Sequence, residues 1–166
     1  VFRIDDLPLG AGQVGLCPLP GRDGDFAGDL ATLLDWHPDM VLSLVGDFER
    51  EAGGAETLPR DLAAAGVAWR QMAVTDFRAP GAGAGAEWAE VSREARAILD
   101  RGGRVLAHCY GGCGRAGMAL LRLMVDAGEA PESALARLRK ARPCAVETQA
   151  QFAWAAGAMP VAAAAR

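Results

Sequence analysis

At 166 residues, 51% of them hydrophobic and 23% charged, the chain is long enough for one domain with a substantial core and too short to expect two. Its 17 Lys and Arg against 21 Asp and Glu leave a formal charge of −4, which disfavours non-specific binding of nucleic acid and makes any anion affinity a local matter. No run approaches the roughly 18 consecutive apolar residues of a membrane span. Val1-Phe2-Arg3-Ile4-Asp5-Asp6 does not resemble a signal peptide, so a cytoplasmic chain without a membrane partner is expected.

In chain order, 13–21 reads as a strand running into a Pro/Gly turn, and 25–36 as a helix with Phe26, Leu30, Leu33 and Leu34 on one face. A buried strand is expected over 40–45, a polar Gly-rich loop over 46–57, a short helix over 58–65 and a strand over 67–74. The stretch 75–85 leaves that strand as a flexible loop able to close over a site. An amphipathic helix over 87–100 ends at Gly102-Gly103. Arg104 to Ala107 is then a short strand, and 116–125 a strong helix pattern.

Beyond Gly128, Pro131 restarts a helix whose Arg137, Arg139, Lys140 and Arg142 read as a solvated basic face. A last helix is expected over 147–157, and the Ala-rich tail 161–166 should fray. Short apolar strands alternating with helices predict an α/β fold, a mostly parallel central sheet with helices on both faces. Ligands in such sheets bind at the carboxyl ends of the strands.

That is where Val105 to Gly117, V-L-A-H-C-Y-G-G-C-G-R-A-G, falls. A Gly-rich strand-to-helix loop points backbone N–H groups at one spot, and the following helix adds its positive dipole end. Cys109 opens the loop and Arg115 closes it, so Tyr110, Gly111, Gly112, Cys113, Gly114 and Arg115 form a phosphate-sized anion cradle beside a thiolate. The loop resembles the H-C-x-x-G-x-x-R-[ST] signature of the cysteine-dependent protein tyrosine phosphatase superfamily, matching at His108, Cys109, Gly112 and Arg115 and departing at Ala116.

Three further stretches, 14–21, the Asp76 loop and Arg142 to Gln151 (R-P-C-A-V-E-T-Q-A-Q), extend the resemblance to the cyclin-dependent kinase inhibitor 3 type of dual-specificity phosphatase over most of the domain. The resemblance implies a nucleophile at Cys109, a phosphate-binding Arg115, a general acid at Asp76 and a water-orienting Gln151, with His108 ordering the loop. Cys144 replaces the usual Gly of the last segment. The expected reaction is hydrolysis of phosphate monoesters on tyrosine, with serine and threonine admitted by a shallow pocket, of a phosphorylated protein or peptide, with no metal and no other cofactor. No K-N-R-Y segment is present to deepen a phosphotyrosine pocket, and no lysine lies in the loop to favour phosphoinositides.

Two other readings stay open at this level: a pseudophosphatase that holds phosphoproteins without turnover, suggested by Ala116, and a rhodanese-like sulfurtransferase. The four cysteines, Cys17, Cys109, Cys113 and Cys144, lack metal-site spacing and are expected as reduced thiols, Cys113 being placed to trap an oxidised Cys109. Oligomeric state is not legible.

Overall fold

A computed structural model describes residues 1–157, so the expected fraying of 161–166 lies outside the described residues. A five-stranded sheet forms the centre, with β1 (Asp5–Leu9), β2 (Gly12–Cys17), β3 (Met40–Ser43), β4 (Ala68–Gln71) and β5 (Arg104–His108) in the order β1-β2-β5-β3-β4. Only β1 runs antiparallel, as the outer arm of a hairpin with β2. Sequence patterning misses β1, because Asp5-Asp6-Leu7-Pro8-Leu9 pairs on one edge only and buries only Leu7 and Leu9.

The helices are α1 (Phe26–Asp35), α2 (Asp47–Ala52), α3 (Leu58–Ala64), α4 (Gly85–Asp100), α5 (Gly114–Asp126), α6 (Pro131–Ala141) and α7 (Gln149–Ala155). Asp25 caps α1 by accepting from the Gly28 N–H at 2.9 Å. Several boundaries differ from the sequence expectation, and two of them bear on the site. The 46–57 loop contains α2, a six-residue helix with Asp47 and Glu49 in its first turn, and the strand expected over 67–74 stops at Gln71.

β5 lies at the middle of the sheet, and its core positions Val105, Leu106 and Ala107 are fully buried. Parallel pairing sets His108 level with Cys17 of β2 and Ser43 of β3, so three chain segments leave the sheet at one height. Cys109 is the first residue beyond that level. α5 starts five residues later, and its first turns, Gly114 to Leu121, are buried without interruption. α4 and α5 both pack on β2 and β5, while α6 and α7 pack on α5. The catalytic-type loop is thereby held between the central strand and the most buried helix.

Candidate active site

Between β5 and α5 the backbone carbonyls of residues 109–113 are all engaged from outside the loop. His108 Nδ1 lies 3.2 Å from Cys109 O; Leu19 N–H and Arg22 Nη1 donate to Tyr110 O at 3.1 and 3.3 Å. Arg142 donates from Nη2 to Gly111 O and from Nε to Gly112 O, each at 3.1 Å, and the Gly117 and Val146 N–H groups reach Cys113 O. In a trans peptide the N–H points opposite to the carbonyl. Five carbonyls held outward therefore turn the N–H groups of residues 110–114 inward, the arrangement of an anion nest.

Gly112 adopts φ +72°, and a Cβ there would stand 2.5 Å from Cys17 C and Pro18 N, so only glycine fits. Its N–H donates to Cys109 Sγ at 3.2 Å, which ties the sulfur to the turn of the loop. Ala116 is fully buried and brings no hydroxyl to this site. Cys113 precedes α5 without any side-chain cap, so the helix N-terminus is left to face the cradle.

Arg115 reaches back under the loop and is almost wholly buried. Glu49 of α2 takes it bidentately, at 2.8 and 2.6 Å, and Val74 O accepts from Nη1 at 3.0 Å. Burial opposes the guanidinium charge, but the Glu49 bonds and the neighbouring Cys109 and Asp76 outweigh it and raise the Arg115 pKa further. Nε makes no hydrogen bond, its nearest carboxylate oxygen being Asp76 Oδ1 at 3.4 Å. A buried charged donor left unspent inside a nest of N–H groups is fitted to an oxyanion.

Glu49 is the functional residue the sequence expectation lacks. Its signal was a carboxylate following the carboxyl end of β3, hidden because α2 was read as loop.

Asp76 stands on the loop after β4 with its carboxyl half exposed, next to Arg115 and so at the mouth of the cradle. The loop is anchored: Thr148 Oγ1 donates to Phe77 O at 3.2 Å and Gln151 Nε2 to Arg78 O at 3.3 Å. Gln151 itself departs from its expected water-orienting role. It is fully buried, and its Oε1 accepts from the Glu147 and Thr148 N–H groups as part of a capping box that starts α7. Both ends of the amide are thus committed, and Gln151 braces the Asp76 loop against α7.

His108 bonds the first carbonyl of the loop. A carbonyl only accepts, so Nδ1 carries the proton to Cys109 O, and burial pushes the ring's pKa down to about 4. The imidazole is therefore neutral at pH 7.

Two expectations are corrected here. Cys113 and Cys144 are joined in a disulfide, so Cys113 is not a free thiol and its sulfur is not available to trap Cys109. Cys17 and Cys109 are free, and burial pushes the Cys17 thiol far above its usual value, keeping it protonated. The basic run is a solvated face only in part: Arg139 and Lys140 are exposed, but Arg137 pairs with Glu129, Arg139 holds the Ala145 and Val146 carbonyls, and Arg142 clasps the loop. Among the described residues no cluster of three His, Cys, Asp or Glu side chains is arranged to hold a metal ion, and no helix is long and apolar enough to cross a membrane.

Comparison with solved structures finds the same architecture. Kinase associated phosphatase carrying serine for its catalytic-site cysteine superposes with a TM-score of 0.81 at 21% identity, over 96% of this chain and 98% of that one. The active form of Tk-PTP matches at 0.67 and 28% identity, over 89% and 94%. PTPMT1 in complex with PI(5)P matches at 0.73 and 17% identity, over 92% of each chain. No curated protein matches by sequence. The family model described as the polymorphic toxin system DSP-PTPase phosphatase matches residues 29–129, which carry Glu49, Asp76, Cys109 and Arg115, and the chain belongs to that family.

Proposed function

We propose that this phosphatase hydrolyses phosphate monoesters on proteins through a phosphocysteine intermediate, with phosphotyrosine as its preferred substrate. The observation that carries the chemistry is the inward nest of residues 110–114 closing on Cys109 with the unspent Nε of Arg115 beside it. Cys109 attacks phosphorus, the nest and Arg115 take the three non-bridging oxygens, and Asp76 protonates the departing oxygen. Membership of a phosphatase family and the presence of nucleophile, arginine and acid together leave the sulfurtransferase and pseudophosphatase readings without support.

Preference for tyrosine follows from the mouth of the site. Phe48, Phe77 and Tyr110 are 87%, 58% and 37% exposed, and each directly adjoins a site residue: Glu49, Asp76 and Cys109. Arg22 lies over the Tyr110 ring at 5.3 Å and fixes one wall. Three exposed aromatics, each one residue from a residue of the site, suit the ring of an aryl phosphate. Beyond Phe77 a cavity of about 630 Å³ lined by Arg78, Ala79, Thr148 and Ala150 gives room for residues flanking the phosphorylated one. We place the action in a cytoplasm, where phosphorylated proteins are substrates.

Peptides of one sequence phosphorylated on tyrosine or on serine test this reading. The tyrosine form should be cleaved at least tenfold faster in kcat/KM, and Cys109→Ser should abolish turnover of both while still binding vanadate. Equal rates for the two peptides would remove the tyrosine preference, and turnover by Cys109→Ser would remove the phosphocysteine.

A further inference from the structure

The Cys113–Cys144 disulfide joins the phosphate loop to the segment that braces the general acid, across 31 residues of sequence. Cys113 lies between the nest and α5. From Cys144 the chain passes through Val146, held at φ +64°, a left-handed conformation that β-branched residues avoid. It continues into Thr148 and Gln151, whose side chains hold the consecutive carbonyls Phe77 O and Arg78 O at the end of the acid loop's turn. Asp76 lies within that turn, which the Arg78 N–H closes on Thr75 O, and Phe77 beside it is at φ +61°.

We infer that Cys113 and Cys144 are a covalent positioning pair that couples the phosphate loop to the general-acid loop, open to cleavage by dithiols. The inference rests on the phosphatase reading above. Cys144 is exposed and Cys113 half-buried, so a dithiol's thiolate attacks Cys144 Sγ. The Cys113 sulfur leaves with the electron pair and takes up a proton. The reagent's second thiol then displaces Cys144, releasing two protein thiols and one oxidised dithiol.

With the staple open, the noncovalent ties of the phosphate loop remain: Arg142 to Gly111 O and Gly112 O at 3.1 Å, and Val146 N–H to Cys113 O at a long 3.3 Å. The nest is therefore kept. Val146 is then kept in its left-handed conformation only by noncovalent ties, its N–H on Cys113 O and its carbonyl on Arg139, and the placing of Thr148 and Gln151 loosens with it. The loss falls on Asp76, so protonation of the leaving group suffers more than phosphate binding. A cell rich in dithiols slows this enzyme, and an oxidising one keeps it fast.

The test starts from enzyme in which alkylation and mass spectrometry find Cys109 free and Cys113 joined to Cys144. Dithiol treatment should lower kcat/KM for phenyl phosphate about tenfold and that for 2,4-dinitrophenyl phosphate about twofold or less, with inhibition by inorganic phosphate unchanged. The double variant C113A/C144A should behave as the treated enzyme and not respond to dithiol. Unchanged kinetics on reduction, or equal losses for both esters, would overturn the coupling, and dithiol treatment of the wild type decides the matter even where the double variant does not fold. Hydrolysis of neither ester by the stapled enzyme would instead sink the phosphatase reading, and this inference with it.

Discussion

Glu49 does for Arg115 what the loop does for Cys109: it fixes one group so that the rest is left for substrate. Glu49 and Val74 O take three of the five guanidinium N–H groups and leave Nε–H and one Nη2–H without a partner. Glu49→Gln keeps the size and one acceptor but removes the charge and one bond. A charge-assisted bond contributes roughly 1.5–3 kcal/mol, so kcat/KM for an aryl phosphate should drop about tenfold to hundredfold, with phosphate inhibition weakened in parallel. Steady-state kinetics read both, and a normal phosphate affinity would show that Arg115 is held well enough without Glu49. Cys109, Arg115 and His108 were legible as candidates because they share one local spacing, and Asp76 because it follows the end of a strand. Glu49 was not, since its meeting with Arg115 spans 66 positions and depends on the order of β3 and β5 in the sheet. Gln151 was located correctly in sequence, but which way its amide points is decided by the capping box.

Among the elements, the loop between β5 and α5 has least latitude. At Gly112 a side chain meets the backbone of Cys17 and Pro18, neither of which is a flexible tip, and the positive φ adds strain. Gly112→Ala should therefore displace the loop, cut kcat by about hundredfold or more, and lower stability by roughly 1–3 kcal/mol. A denaturant midpoint close to wild type combined with lost activity would mean that the loop alone moves. Gly114 differs, because the obstruction to a Cβ there is the Glu147 Oε1 and the Gln151 amide, side-chain atoms rather than backbone. Element types were readable wherever periodicity ran for ten residues or more, as in α1, α4, α5 and α6. The six-residue α2 was not, since its stability comes from Arg50 bonding Asp47 and Glu56 O and from Glu49 bonding Arg115 rather than from an apolar stripe. The disulfide escaped for a similar reason, its two cysteines being brought together by α6 folding back on α5.

For the whole molecule, the buried neutral His108 links fold to pH. Its pKa is about 4 when folded against an ordinary 6.5, so the unfolded chain binds the proton first. Its contribution is fully present above pH 6.5, is lost as pH falls toward 4, and amounts to roughly 3 kcal/mol at most. Wild-type unfolding midpoints in denaturant should fall between pH 6.5 and 4.5, and His108→Asn should flatten that part of the profile. An unchanged slope in the variant would assign the acid sensitivity to other groups.

The two outer strands of the sheet carry a consequence for how a polypeptide can be read. β1 offers a proline in place of an N–H at position 8, the Pro8 carbonyl already accepts from Arg137 Nη1, and Asp5 and Asp6 put charge on the same rim. On the opposite rim β4 is only four residues long, and its Trp69 carbonyl is taken by Arg70. Neither border presents a free ladder of donors and acceptors, so a target protein is not recruited by adding a strand of its own. It has to approach end-on, phosphate first, and whatever discrimination among sequences exists is written in side chains around the opening instead of in main-chain pairing.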